Sequence, residues 1–388
     1  MGSLLLALIY ISFIGLGLPD SLLGSSWPVV HMEMGVPMSY AGVVSAVIFG
    51  GTVLTSLFSG KLLYRFGTGT ITAVSMAMTA IGMLGFFFSS SFWMLILWSV
   101  PYGLGAGGVD SVLNNYVALH YKPQHMSWLH CMWGVGASIS PYIMSFALIR
   151  LDSWNHGYLI VFILQAILSV ILFFSLPSWN REEKKTAQAE NTDTRPMSFR
   201  KIFAIPGAIP CFLMFFANCS LEMTTTLWTS SYLVQHWNYS EELAAGFASM
   251  FYLGITFGRF VNGFLAMKAS DHFLIRMGLS LIFVGIVFLF LPFHSVCSLV
   301  GFLIIGLGSA PVYPCIIHMT PATFGKENSQ GMIGVQMAFA YMGFLISPPL
   351  LGVLADWLSI SVLPVFLLAL LTLTASMYVI LIKKQKVL

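Results

Sequence analysis

Three carboxylates stand in stretches that are otherwise almost wholly apolar: Asp20, Asp110 and Glu222. Asp110 lies in the run 92–117, which holds no Lys, no Arg and no other acid. That run is long enough to cross a bilayer, for which roughly 20 apolar residues suffice. An Asp at the centre of a spanning helix costs about 2.5–3.5 kcal/mol on insertion scales. A chain therefore keeps one where it faces protein or water, which makes each of the three a candidate functional group. The sequence offers none of them an obvious basic partner within the spans. A carboxyl that takes up and returns a proton, exposed in turn to two sides of a membrane, is what proton coupling needs. Asp20 and Glu222 are the candidates for that role.

Other polar side chains accompany the acids. Asn114 follows Asp110 by four residues, on the same face of a helix. An amide beside a carboxylate suits hydroxyl groups, which both donate and accept, and so points to a sugar-like solute. His130 and Trp133 stand in Leu129-His-Cys-Met-Trp-Gly-Val-Gly136, and a Trp near a carboxylate is a platform for the apolar face of a sugar ring. Asn218, Trp228, Tyr313 and Gln336 are the corresponding candidates of the second half of the chain. For each of these residues the competing reading is a bond between helices that only fixes packing.

The elements that must position these groups are membrane spans. The chain is 57% hydrophobic and 8% charged, with mean hydropathy +0.86, whereas soluble domains carry about 25% charged residues. Twelve apolar spans are expected, at about 4–24, 39–62, 70–88, 92–117, 126–148, 158–176, 209–234, 242–266, 273–293, 297–319, 331–354 and 362–382. The first reads as a retained helix rather than a cleaved signal, since no basic residue precedes it. Residues 180–201 hold six of the 17 Lys and Arg and read as a solvated linker. The expected organisation is an N-terminal six-helix half at 1–179, a cytoplasmic linker at 180–201 and a C-terminal six-helix half at 202–388. With both termini cytoplasmic, Lys61, Arg65, Lys122, Lys268, Arg276, Lys326, Lys383, Lys384 and Lys386 fall on the cytoplasmic side, as the positive-inside rule requires. Arg259 reads as lying near the same end of the eighth span, and Arg150 falls outside the pattern.

Several classes of chemistry are excluded. The five Cys are odd in number and irregularly spaced, and the nine His show no zinc spacing, so neither a disulfide framework nor a metal site is expected. Ser59-Gly-Lys61 is followed by Leu62, so there is no phosphate-binding loop for ATP. No catalytic motif occurs, no cofactor is implied and the chain is not read as an enzyme. A net charge of +3 gives no reason to expect nucleic acid.

The halves repeat. Asp20 and Trp27 match Glu222 and Trp228; Ala41-Gly42, Ser45 and Gly50 match Ala245-Gly246, Ser249 and Gly254; Gly103-Leu-Gly matches Gly306-Leu-Gly; Ile139-Ser-Pro141 matches Ile346-Ser-Pro348. The matches keep one order at offsets of 201 to 207. A parallel repeat of six-helix halves builds one large class of transporter, with its solute site near the midplane. Asp20 and Glu222 are equivalent in the repeat, whereas Asp110 aligns with Tyr313. The acid of the fourth span thus breaks the likeness of the halves, which marks it as the candidate solute ligand and leaves the proton to Asp20.

The twelve-span, two-half plan resembles the major facilitator superfamily. Gly60-Lys-Leu-Leu-Tyr-Arg-Phe-Gly67 is similar to that family's loop signature, with Tyr64 where an Asp is usual. Within the superfamily the chain looks like the fucose permease-like sugar:proton symporters, on Asp20, the segment Gly105 to Asn114, Glu222, Gly258-Arg-Phe260 and Ala310-Pro-Val-Tyr-Pro314. The resemblance implies that Asp20 matches that group's protonated acid and Asp110 its substrate-binding acid. The expected protein is a multi-pass cell-membrane monomer. It would carry a monosaccharide or similar polar solute by symport with a coupling ion, the proton or sodium. The alternative is a proton-driven exporter of amphipathic or drug-like compounds, which the same acids would serve.

Overall fold

The computed structural model describes residues 2–37, 40–190, 197–239, 241–291 and 294–385. Residues 39 and 293, expected at the edges of two spans, residues 191–196 of the expected linker, and Lys386 lie outside the described residues. Among the described residues the regular structure is helical: α1 (Gly2–Asp20), α2 (Leu22–Glu33), α3 (Ala41–Phe87), α4 (Phe92–His120), α5 (Pro123–Arg150), α6 (Trp154–Glu190), α7 (Phe199–Ala204), α8 (Ala208–Trp237), α9 (Glu241–Leu265), α10 (Asp271–Leu289), α11 (Ser295–Phe324), α12 (Ser329–Trp357) and α13 (Leu363–Gln385).

Ten described helical stretches are long and apolar enough to cross a membrane, with α1 and α2 together forming one of them. At 1.5 Å per residue the 47-residue α3 is about 70 Å long, more than twice a hydrocarbon core of about 30 Å. It is two spans. They part at Gly67, whose φ of 76° and ψ of 163° are not helical and suit a residue without a Cβ. The 25-residue α9 completes the twelve. The protein is an all-α, multi-pass membrane protein.

Two spans run further than their composition suggests. The first does not end near residue 24; after a break at Ser21 it continues to Glu33, whose carboxylate accepts a 2.6 Å hydrogen bond from Trp154 Nε1 at the start of α6. The sixth does not end at 176 but runs to Glu190. Residues 180–190 are polar, yet they are rich in Glu, Lys, Ala and Gln with no Gly or Pro, and helix propensity carries the span onward.

The chain forms two compact units, residues 1–116 with 129–197, and residues 117–128 with 198–388. Small residues set the packing of each, as expected where helices meet without water to drive them together. In the first unit, a Cβ on Gly103 or Gly107 of α4 would strike the carbonyls of Ile48 and Thr52 in the first leg of α3. One on Gly105 or Gly108 would strike Ser75 in its second leg. Thr52 Oγ1 also donates to the Gly103 carbonyl at 3.0 Å. In the second unit, Gly306 of α11 meets the backbone of α9 at Phe251, and Gly308 meets that of α10 at Gly278. The turn from α4 to α5 packs on α9 in the same unit: Asn262 Nδ2 donates to Ser127 Oγ at 2.7 Å, and the Trp128 ring lies against Gly263.

Candidate functional site

Prolines open the helices around Asp20, and side chains close the gaps they leave. Pro19 has no N–H to give the Gly15 carbonyl, and that carbonyl accepts instead from Gln165 Nε2 of α6 at 2.8 Å. Pro141 likewise leaves the Ala137 carbonyl of α5 without its helical donor, and Ser21 Oγ supplies one at 2.9 Å. Two further close approaches fix α5 against α1: a Cβ on Gly17 would strike the Trp133 carbonyl, and one on Gly136 the Ile14 carbonyl. The break at Ser21 leaves Asp20 as the last residue of α1, in the middle of a 30-residue span.

Both carboxylate oxygens of Asp20 are engaged. Tyr102 Oη of α4 donates to Oδ1 at 2.6 Å, and Trp133 Nε1 of α5 donates to Oδ2 at 2.8 Å. Trp133 was expected beside the solute-binding carboxylate; the structure gives its indole N–H to Asp20.

Asp110, Asn114 and His130 form a second cluster in the same unit. Asn114 Nδ2 donates to Asp110 Oδ1 at 2.8 Å and to the Asp110 carbonyl at 2.9 Å. Asn114 Oδ1 lies 3.0 Å from His130 Nε2. The His130 ring meets Phe13 of α1 edge to face, with centroids 5.5 Å apart. Asp110, Asn114 and His130 are 3%, 0% and 5% exposed, so the cluster is covered in this conformation.

The second unit overturns the expectation that no basic group lies within reach of the acids. Arg259 of α9 is buried, and its Nη2 bonds Glu222 Oε1 of α8 at 3.0 Å. Arg259 therefore serves as a counter-ion to Glu222 inside the span. Glu222 thus has a basic side chain bonded to it, which neither of the two bonds to Asp20 supplies. Asn218 stands one turn before Glu222 and is also buried; its Nδ2 and Glu222 Oε2 have no hydrogen-bond partner among the described residues.

The remaining candidates tie helices together. Gln336 Nε2 of α12 bonds Cys211 Sγ and Thr320 Oγ1, each at 3.0 Å, joining α12, α8 and α11. Trp228 Nε1 donates to the Pro348 carbonyl at 3.0 Å. Tyr313 donates to Met337 Sδ at 3.2 Å and its ring lies 4.7 Å from that of Phe215. None of these contacts gathers the three residues around Glu222.

Three residues of the site escape a reading of composition and spacing: Tyr102, Gln165 and Arg259. Tyr102 carried one usable signal, its position eight residues before Asp110 in the same apolar run. The clusters suit transfer of a proton to Asp20 and hydrogen bonding to a polar solute, and the described residues contain no cluster of His, Cys, Asp and Glu fit for a metal ion.

The model of the Major Facilitator Superfamily matches residues 9–322. The chain is 24% identical to bypass of stop codon protein 6 of Saccharomyces cerevisiae, over 95% of this chain and 81% of that one. It is 25% identical to the class B tetracycline resistance protein of Escherichia coli, over 79% and 73%. A crystal structure of a variant of the Escherichia coli fucose:proton symporter superposes with a TM-score of 0.75 at 13% identity, covering 96% of this chain and 98% of that one. That likeness is one of fold, twelve transmembrane helices in two six-helix halves. With a family model matched over most of its length, the chain belongs to the Major Facilitator Superfamily, whose members are membrane transporters and not enzymes.

Proposed function

We propose that this transporter is a proton-coupled symporter of a monosaccharide or similar polar solute, working by alternating access from a cell membrane with both termini cytoplasmic. The observation that carries the reading is Asp20, a carboxylate in mid-span held by one O–H and one N–H and by no basic side chain in those bonds. A carboxylate so placed accepts a proton without breaking an ion pair. Asp110, Asn114 and His130 offer acceptors and donors to hydroxyl groups when the helices around them part, and Trp133, three residues after His130 on α5, offers a ring face beside Asp20. Glu222, paired with Arg259, is assigned a fixed charge and not the proton.

The test is uptake of labelled D-glucose, D-galactose, D-xylose and L-fucose into proteoliposomes with an imposed pH gradient. Accumulation of at least one sugar that collapses with the gradient supports the reading; uptake indifferent to the gradient for all four sinks it. A second reading, proton-driven export of amphipathic compounds, is favoured by the likeness to the tetracycline resistance protein. It predicts that cells lacking the chain become more sensitive to such compounds, and it requires no sugar accumulation.

A further inference from the structure

The two bonds to Asp20 come from the same two helices that carry the second cluster. On α4, Tyr102 precedes Asp110 by eight residues and Asn114 by twelve, about 12 and 18 Å along the axis. On α5, Trp133 follows His130 by three residues, so both lie on one face of the helix. Each helix therefore grips Asp20 at one point and the Asp110–Asn114–His130 chain at another. A shift of α4 or α5 against α1 changes both sets of bonds at once.

The two grips differ chemically. A tyrosine hydroxyl both donates and accepts, whereas an indole N–H only donates. When Asp20 is ionised, both oxygens accept, and bonds to a charged acceptor are roughly twice as strong as neutral ones. A proton arriving at Oδ1 is accommodated if the Tyr102 hydroxyl turns from donor to acceptor. The indole has no such choice, and its bond to the now neutral carboxyl weakens. Trp133 then relaxes its hold, and α5 carries His130 with it. The Phe13 ring of α1 against His130 gives the movement a surface to work against.

We infer that Tyr102 and Trp133 are positioning residues that couple the charge on Asp20 to the Asp110–Asn114–His130 cluster; this rests on the assignment of the transported proton to Asp20. Among the described residues the titratable group bonded to Asp20 is Tyr102; Tyr158 of α6 bonds Ser26 of α2 at 2.9 Å. Ser21, at the break between α1 and α2, and Trp133 of α5 carry no proton that titrates in the working range. A coupling at the lower end of the usual range makes solute affinity differ about fivefold between the two states of Asp20.

A test that needs no solute is infrared difference spectroscopy of the full chain after a pH step, with ring-labelled histidine. The His130 band is identified by its loss in His130→Gln, and the Asp20 carboxyl band by its loss in Asp20→Asn. In wild type the two bands are expected to change over the same pH interval, and in Asp20→Asn the His130 band is expected to stand still. In Tyr102→Phe/Trp133→Phe the Asp20 band remains and the His130 band stops following it. Tyr102→Phe alone, which removes a single hydroxyl, is expected to reduce the response in part. A His130 band that follows Asp20 in the double variant as in wild type overturns the inference, as does a wild-type His130 band indifferent to Asp20. If Asp20→Asn removes no carboxyl band, the proton assignment itself fails, which is a separate result.

Discussion

Gln165 of α6 donates from Nε2 to the carbonyl of Gly15 in α1, 2.8 Å away, and that carbonyl is the one Pro19 leaves without a helical donor. In a bilayer every backbone polar group must find a partner inside the protein. The pair explains how a proline sits one residue before a mid-span acid without unravelling α1.

The pair makes a sharp prediction. Gln165→Leu leaves the Gly15 carbonyl buried without its donor and is expected to cost about 1–3 kcal/mol. Pro19→Ala returns a backbone N–H to that carbonyl, so Gln165→Leu in the Pro19→Ala background is expected to cost much less. Thermal unfolding of the four proteins in one detergent measures the coupling. Equal costs in both backgrounds would show that Gln165 stabilises by some other contact.

The Glu222–Arg259 pair predicts a second non-additive result. Truncating one partner of a buried ion pair leaves an uncompensated charge and costs about 3–5 kcal/mol, whereas replacing both can be nearly neutral. Arg259→Met is expected to lower the melting temperature strongly, and Glu222→Gln/Arg259→Met to recover most of the loss. A double variant as unstable as Arg259→Met alone would contradict the pairing.

Packing of α4 on α3 predicts the effect of filling a glycine. Gly103→Val drives a side chain into the Ile48 carbonyl, and overpacking of this kind costs about 1–3 kcal/mol. Val100→Leu, at a 43% exposed position one turn earlier, serves as the control and is expected to be close to neutral. The folded fraction after detergent extraction and the melting temperature report both. A Gly103→Val protein as stable as the control would show that α4 stands off from α3.

The proposed solute role of the Asp110–Asn114–His130 cluster predicts where binding is lost. A solute at 100 times its dissociation constant stabilises the native state by about 2.7 kcal/mol through mass action. A sugar that raises the melting temperature of wild type is expected to lose that effect in Asp110→Asn and Asn114→Ala and to keep it in Gln336→Leu, since Gln336 is occupied by Cys211 and Thr320. Retention of the full shift in Asp110→Asn would remove that acid from the solute site.

Much of this arrangement was legible in the sequence, and the rest was hidden for definite reasons. Asp20, Asp110 and Asn114 stood out because charge in an apolar run is costly and rare, and the i, i+4 spacing already put Asp110 and Asn114 on one face. The role of Arg259 is hidden because the charge rule reads a basic residue near a span end as water-seeking; its bond to Glu222 depends on α8 packing against α9, and the two residues are 37 apart in sequence. Tyr102 was passed over because a tyrosine in an apolar helix looks the same whether it packs, anchors at an interface or donates to an acid. The extension of α6 to Glu190 was hidden because a polar segment without periodicity was read as loop, although its residues favour helix.

The proposed function stands on Asp20 as the carrier of the coupled proton. The most direct measurement compares wild type and Asp20→Asn in proteoliposomes with a sugar that wild type accumulates. It records gradient-driven accumulation and, separately, exchange of internal for external sugar at equal pH. Exchange needs no net proton movement. Asp20→Asn is expected to abolish accumulation while exchange continues at a rate comparable to wild type. Accumulation in Asp20→Asn that still follows the pH gradient would contradict it.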